Sequence, residues 1–410
     1  MKLIGPFKQL LTMSGLPPKG RLADEQLEII EDAGILVENG TIKEVGSYAF
    51  LEEVAQQNGY EFDFVNGEYV AMPGMIDTHT HICFAGTRSM DYAMRLSGKS
   101  YLEIAASGGG IWSTVRNTRE ASNEMLLHLL LKRLEVLQSE GITTVEVKSG
   151  YGLSVPDELR ILDIIVQADS LLTVDVEPTC LAAHMKPKDF EGSNLQYLEM
   201  LTEKLLPQVK TRGLSRRVDI FIEKSAFTPD EGLFYMKQAR AMGFDITVHA
   251  DQFTAGGSAT AVVGEACSAD HLEASGDEEI RLLANSNTVA VCLPGASMGL
   301  GMAFAPARKL LDAGAAVAIA SDWNPGSAPM GDLLLQASVL GAYEHLSVAE
   351  TLAAITCRAA KALHLNDRGD VRPGTLADII AFPVNDYKEI IYRQGKIKPD
   401  HVWKKGEKIK

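Results

Sequence analysis

Nine histidines are spread through the 410 residues, and five of them, His79, His81, His184, His249 and His271, fall at the ends of short apolar runs. Runs of this kind, rich in Val, Ile, Ala and Thr, read as buried parallel strands, so five imidazoles are predicted at strand C-terminal ends. In Asp77-Thr78-His79-Thr80-His81 the two histidines are two residues apart and project to the same side of a strand. Two neutral imidazoles on one rigid strand make a half-site for Zn²⁺ or Fe²⁺. His249 and Asp322, at the ends of the fifth and eighth runs, would complete three imidazoles and one carboxylate and leave a position open for water, the mark of a catalytic site. The competing roles are structural: a capping carboxylate for Asp322, and for any one histidine a buried ring satisfied by a backbone carbonyl.

Eight runs must position these groups: Met75–His81, Thr143–Lys148, Val176–His184, Val218–Glu223, Asp245–His249, Cys267–His271, Thr288–Pro294 and Ala315–Asp322. Helical periodicity fills the gaps between them, as where Leu127, Leu130, Leu131 and Leu134 fall on one face, or where Thr228-Pro229-Asp230-Glu231 reads as a cap, a first-turn proline and a capping-box acid. Strands alternating with helices over this length predict an α/β fold, a (β/α)8 TIM-like barrel, whose strand C-terminal ends share one face. A doubly wound sheet is the alternative, but no G-x-G-x-x-G follows the first strand, and Gly108-Gly109-Gly110 opens no clear phosphate loop. The ends of the chain differ from this core. Residues 1–72 hold strand-like pieces joined at Asn39-Gly40, a hairpin signal, and residues 368–410 resume the pattern at Ala377–Phe382. Neither end can bury a sheet face alone, so they are expected to pair into one small β-sandwich domain beside a barrel of residues 73–367.

With 46% hydrophobic residues, 23% charged residues and a mean hydropathy of zero, the chain is globular rather than disordered. A net charge of −15 repels polyanions, which argues against nucleic acid and anionic membrane surfaces as partners. An anionic small molecule would have to be held by a few local cations, so an arginine near the histidines carries weight. The five cysteines are widely separated with no C-x-x-C, and no apolar run approaches the roughly 18 residues of a membrane span. A reducing, cytoplasmic setting is the expectation.

Pro73-Gly74-Met75-Ile76-Asp77 ahead of the H-x-H pair, the strand-end His249 and His271, and Ser321-Asp322 together resemble the amidohydrolase superfamily, whose members hydrolyse cyclic amides or deaminate rings on a metal at a barrel mouth. Longer blocks, among them His79–Arg88, Gly98-Lys99-Ser100-Tyr101-Leu102-Glu103-Ile104-Ala105, Glu146–Leu153, Ser268–Leu272 and Asp322–Ser327, resemble one branch, which opens a ring in histidine degradation. The resemblance implies hydrolysis of 4-imidazolone-5-propanoate to N-formimidoyl-L-glutamate. It also implies one divalent or trivalent metal ion per subunit, zinc or iron, and a homodimer.

Roles can then be assigned. A metal on His79, His81, His249 and Asp322 would bring its bound water to a pKa of around 7. Asp322 can take the water's proton and pass it to the ring nitrogen, and His271 is placed to orient or protonate, unless it is a histidine hydrogen-bonded beneath the site. Arg88 offers a planar fork for a carboxylate, the alternative being an ordinary surface pair, and Tyr151 could add a hydroxyl. By the resemblance, His184 and Gln252 contact the ring, and Asn324, Gly326 and Ser327 meet polar groups of substrate or product. Gln252 is an amide where related ring deaminases carry an acid, so it exchanges no proton at neutral pH. Lys148 lies on the wrong strand to bridge two metals, and Glu223 is expected to be a supporting acid beside a single ion. Two further readings are another mononuclear amidohydrolase, acting on a cyclic amide or deaminating a nucleobase-like ring, and a barrel that binds without catalysing.

Overall fold

The structure is a computed structural model that describes residues 1–99, 103 and 107–410. Ser100, Tyr101, Leu102, Ile104 and Ala105 of the block quoted above lie outside the described residues. Strands β1 (Lys2–Leu11), β2 (Ile29–Glu38), β3 (Thr41–Ser47), β4 (Glu61–Phe64) and β5 (Val70–Pro73) come before the barrel. The barrel strands are β6 (Met75–Asp77), β7 (Ile142–Lys148), β8 (Asp175–Ala183), β9 (Arg217–Ile222), β10 (Asp245–Ala250), β11 (Ser268–His271), β12 (Val289–Cys292) and β13 (Val317–Ile319). Strands β14 (Ile379–Phe382), β15 (His401–Lys404) and β16 (Glu407–Lys408) end the chain.

Strands β6 to β13 pair in sequence order, all parallel, as the eight apolar runs predict. β7 is buried at every position, because helices cover one face and the other lines the barrel interior. The seam between β6 and β13 closes beyond the strands proper, where Thr80 bridges Trp323, the His81 amide donates to Trp323 O at 2.9 Å and the Asp322 amide donates to His79 O at 3.0 Å. The predicted strand through His81 is therefore shorter as a ladder: β6 ends at Asp77, whose Oδ1 accepts from the Ser321 amide at 3.0 Å, and the histidines lie on the extended segment that follows.

Of the covering helices, Asn123–Ser139 is capped by Ser122 and buries Leu126, Leu130, Leu134 and Leu137. Leu127 and Leu131 flank that stripe, half-buried, so the apolar face is rotated slightly from the one the periodicity suggests. The helix Pro229–Ala241 starts as expected, with Thr228 capping the Glu231 amide and Pro229 in the first turn.

Both chain ends join one second sheet, ordered β16-β15-β14-β5-β1-β2-β3, with β4 alongside β1. β2 and β3 form the Asn39-Gly40 hairpin, both turn residues having positive φ, and β14 pairs antiparallel with β5. Its core, with Phe7, Ile35, Ile379 and Trp403, draws on residues from both ends. Because β5 runs through Gly74 directly into β6, this sheet fixes where the segment carrying His79 and His81 enters the barrel.

Candidate metal centre and active-site cavity

All five strand-end histidines gather at the C-terminal mouth of the barrel. The Nε2 atoms of His79, His81 and His249 form a near-equilateral triangle, with separations of 3.2 Å (His79 to His81), 3.1 Å (His79 to His249) and 3.2 Å (His249 to His81). Asp322 Oδ1 lies 3.6 Å from Nε2 of His79 and 3.4 Å from Nε2 of His81. It is buried and has no hydrogen-bond partner.

Acids inside the barrel set which nitrogen faces the centre. His79 Nδ1 lies 2.7 Å from Asp270 Oδ2, and His249 Nδ1 lies 2.8 Å from Asp219 Oδ2. A carboxylate at Nδ1 holds the proton there and turns the Nε2 lone pair inward. Lone pairs meeting lone pairs about 3 Å apart, beside an unpartnered carboxylate oxygen, are unfavourable by themselves and are satisfied by a cation. The donor set of three imidazoles and one carboxylate therefore fits a metal ion. Beneath it, Lys148 Nζ lies 2.8 Å from Asp219 Oδ2 and 2.7 Å from Glu146 Oε1, all three side chains fully buried. Lys148 is thus an internal counter-charge.

Burial holds His79 and His81 well below the ordinary imidazole range, and takes His249 down to about 3 and His184 to about 4, so all are neutral and able to ligate at neutral pH. Burial would raise Asp219, but His249 and Lys148 hold it well below the usual carboxylate range. Asp322 is pushed up to about 6 chiefly by burial, and Asp270 likewise to about 6. Burial would lower His271, yet Glu273, with Oε2 at 3.5 Å from its Nδ1, raises it instead.

Non-glycine residues with left-handed backbones recur at the mouth, among them Asp251 at φ 53°, His271 at φ 92°, Leu272 at φ 76° and Asp322 at φ 50°. Such conformations cost about 1–3 kcal/mol each and persist where surrounding contacts over-determine them. At Asp322 those contacts are a loop built by Asn324, whose Nδ2 donates to Asp322 O at 2.6 Å and Ser327 Oγ at 2.8 Å while its Oδ1 accepts from the amides of Gly326 and Ser327. The Asn324 amide is consumed within that loop, and Ser327 Oγ donates on to Asp322 Oδ2 at 3.3 Å.

Above the centre opens a cavity of about 690 Å³. Its lining includes Arg88, Tyr151, His184 and Gln252 of the expected site, while His79 lies beneath it. The Arg88 Nε donates to Asp91 Oδ2 at 2.8 Å, and Asp91 Oδ2 also accepts from the Gly110 amide. Arg88 is therefore both paired with an acid and part of the cavity wall, the two situations weighed from sequence. Gly326 packs against it: a Cβ there would stand 2.3 Å from Arg88 Nη1, so a side chain at 326 would displace the guanidinium. His184 stacks on His81 with ring centroids 5.4 Å apart, and its Nδ1 faces Gly150 O at 3.1 Å. Glu223 accepts from the amides of Phe253 and Thr254, at 3.0 Å each, and from the Thr254 hydroxyl, which anchors the loop after β10.

The sequence reading left Asp219, Asp270 and Glu273 unassigned. Their signal was present: each is an acid in or against an apolar run, where a charge needs a partner.

A family model described as "Amidohydrolase family" matches residues 70–409, and the chain belongs to that family. It is 39% identical over 387 residues to an imidazolonepropionase from Acinetobacter baumannii (strain AB307-0294), covering 94% of this chain and 96% of that one. It is also 38% identical over 407 residues to the imidazolonepropionase of Geobacillus sp. (strain WCH70), covering 98% and 96%. Within the amidohydrolases the chain belongs to the imidazolonepropionases, which are hydrolases. Among solved structures, the fold is similar to a mutant atrazine chlorohydrolase from Arthrobacter aurescens TC1 complexed with zinc and atraton, with a TM-score of 0.74, 16% identity and coverage of 100% of this chain and 95% of that one. It is likewise similar to an adenosine deaminase from Xanthomonas campestris with bound zinc, with a TM-score of 0.72, 18% identity and coverage of 99% and 92%.

Proposed function

We propose that this chain opens the ring of 4-imidazolone-5-propanoate by hydrolysis to N-formimidoyl-L-glutamate, on one zinc or iron ion held by His79, His81, His249 and Asp322. The observation that carries the reading is the triangle of inward Nε2 atoms beside the unpartnered Asp322 Oδ1, at the floor of a cavity whose wall includes a guanidinium. When bound, the ion supplies Lewis acidity and makes hydroxide available near neutral pH.

The protein's own groups do the rest. Arg88 binds the propionate carboxylate, its fork oriented by Asp91, and Tyr151 adds a hydroxyl to the same end of the substrate. His184 and Gln252 face the ring. Asp322, with its carboxyl drawn up to about 6 by burial, takes the proton of the attacking water at Oδ1 and returns it to the departing ring nitrogen. His271, whose pKa Glu273 raises above the ordinary imidazole value, is the group to donate to the oxygen on which negative charge develops. Asn324, Gly326 and Ser327 shape the loop that holds Asp322 and give the substrate's polar groups a backbone to meet.

The reading extends to a homodimer acting in the cytoplasm on a small anionic substrate, without nucleic acid or membrane. Five free cysteines support the reducing, cytoplasmic part of that reading, and among the described residues no helix is long and apolar enough to cross a membrane. The test follows the ultraviolet absorbance of freshly made imidazolonepropionate with wild type and Arg88→Ala side by side. Turnover by wild type, with the variant impaired mainly in KM, supports the reading. No turnover by metal-loaded wild type redirects the search to other cyclic amides and aminated rings.

A further inference from the structure

A second set of metal-ligating side chains lies at the opposite end of the barrel. Asp245 opens β10, Cys267 immediately precedes β11, and His364 follows the helix Cys357–Ala362. Asp245 lies four positions before His249 on β10, which puts this group about 13 Å below the histidine triangle. His364 Nδ1 lies 3.5 Å from Cys267 Sγ and 3.2 Å from Asp245 Oδ1, and the three ligand atoms are all within 4.8 Å of one another.

A single Nδ1–H can point at only one of those two neighbours, whereas an ion can be shared by all three. In a tetrahedral zinc site with bonds of about 2.0–2.1 Å to nitrogen and oxygen and about 2.3 Å to sulfur, the N···S edge is about 3.6 Å and the N···O edge about 3.4 Å. The observed separations lie within about 0.2 Å of those edges. Arg216 Nη1 and Arg217 Nη2 each stand 3.9 Å from Oδ2 of Asp245, the other oxygen, and leave Oδ1 turned toward His364. The His364 side chain is 53% exposed, so an ion reaches the group from solvent, and Cys267 is buried beneath the ring.

We propose that Asp245, Cys267 and His364 form a second site for a thiophilic divalent cation such as Zn²⁺, separate from the catalytic centre, with water completing the tetrahedron. Ligation converts the Cys267 thiol to thiolate and displaces the Nδ1 proton of His364, whose pKa the Asp245 contact raises to about 9, so both protons pass to solvent as the ion takes their place. An ion there ties the starts of two adjacent barrel strands to the segment leading into the C-terminal part of the second sheet.

The catalytic centre offers only nitrogen and oxygen donors, which makes thiolate ligation a clean signal. Protein carrying one zinc ion per chain is titrated with Co²⁺ and read for the intense near-ultraviolet thiolate-to-cobalt charge-transfer band. The expected result is a band that saturates at one equivalent, is lost in Cys267→Ser, and titrates several-fold more weakly in Asp245→Asn and His364→Ala. Equal thermal midpoints of the metal-depleted wild type and Cys267→Ser show that the loss is not unfolding. A band that survives in Cys267→Ser, or no band in wild type at millimolar Co²⁺, overturns the proposal. Neither outcome depends on which substrate the barrel mouth turns over.

Discussion

Oδ2 of Asp219 lies 2.8 Å from Nδ1 of His249 and 2.8 Å from Nζ of Lys148, so one buried carboxylate sits against both an imidazole of the histidine triangle and the lysine beneath it. Asp219→Asn keeps the shape but removes the charge that fixes the His249 tautomer. The expected outcome is a loss of metal affinity of about 10–100-fold, measured by competition with a chromogenic chelator. Asp270→Asn, acting on His79, is expected to do the same.

Arg88 is one of two guanidiniums in the cavity lining among the described residues, Arg95 being the other, and its Nε is already engaged by Asp91. A charge-assisted hydrogen bond of about 1.5–3 kcal/mol corresponds to about 10–150-fold. Arg88→Ala should raise KM by that factor with a much smaller change in kcat. Arg88→Lys should recover only part of the loss, because an ammonium cannot present the fork.

Gln252 and His271 separate binding from proton handling. An amide does not titrate, so Gln252→Ala should weaken substrate binding and leave the shape of the pH–rate profile unchanged. His271→Asn should remove a limb of that profile and lower kcat by about 10²–10⁴-fold, the range of a positioned acid. Steady-state kinetics from pH 5 to pH 9 distinguish the two.

His184 is neutral in the folded chain because burial brings it to about 4, while unfolded histidine titrates near 6.5. Between those values the unfolded chain binds the extra proton, so this residue costs stability as pH falls from about 6.5 toward 4. With His184→Gln that loss is absent. The thermal midpoint of the variant is expected to fall less than that of wild type between pH 7.5 and pH 5.

Much of this site is legible in the sequence because it depends on local periodicity. A two-residue spacing puts His79 and His81 on one side, and strand-end positions put His184, His249 and His271 on the same face. What is not legible depends on contacts between distant strands. Asp270 reaches His79 across 191 positions, and nothing local to either names the other. The loop at Asp322 is a similar case: Asn324 lines the cavity, and its amide also builds the loop through Asp322, Gly326 and Ser327, a second role that only the folded backbone reveals. Strand β6 reads four residues too long because the His79–His81 segment is extended without sharing the ladder, pairing instead through one bridge to Trp323.

The measurement that bears most directly on the account is turnover of imidazolonepropionate against metal content, as a chelator strips the protein and zinc or iron restores it. Activity should fall and return in proportion to bound metal, reaching its full value with one ion in the His79, His81, His249 and Asp322 centre, and His249→Ala should recover none of it. Undiminished turnover by metal-free protein, or no turnover by the fully loaded enzyme, would contradict the assignment.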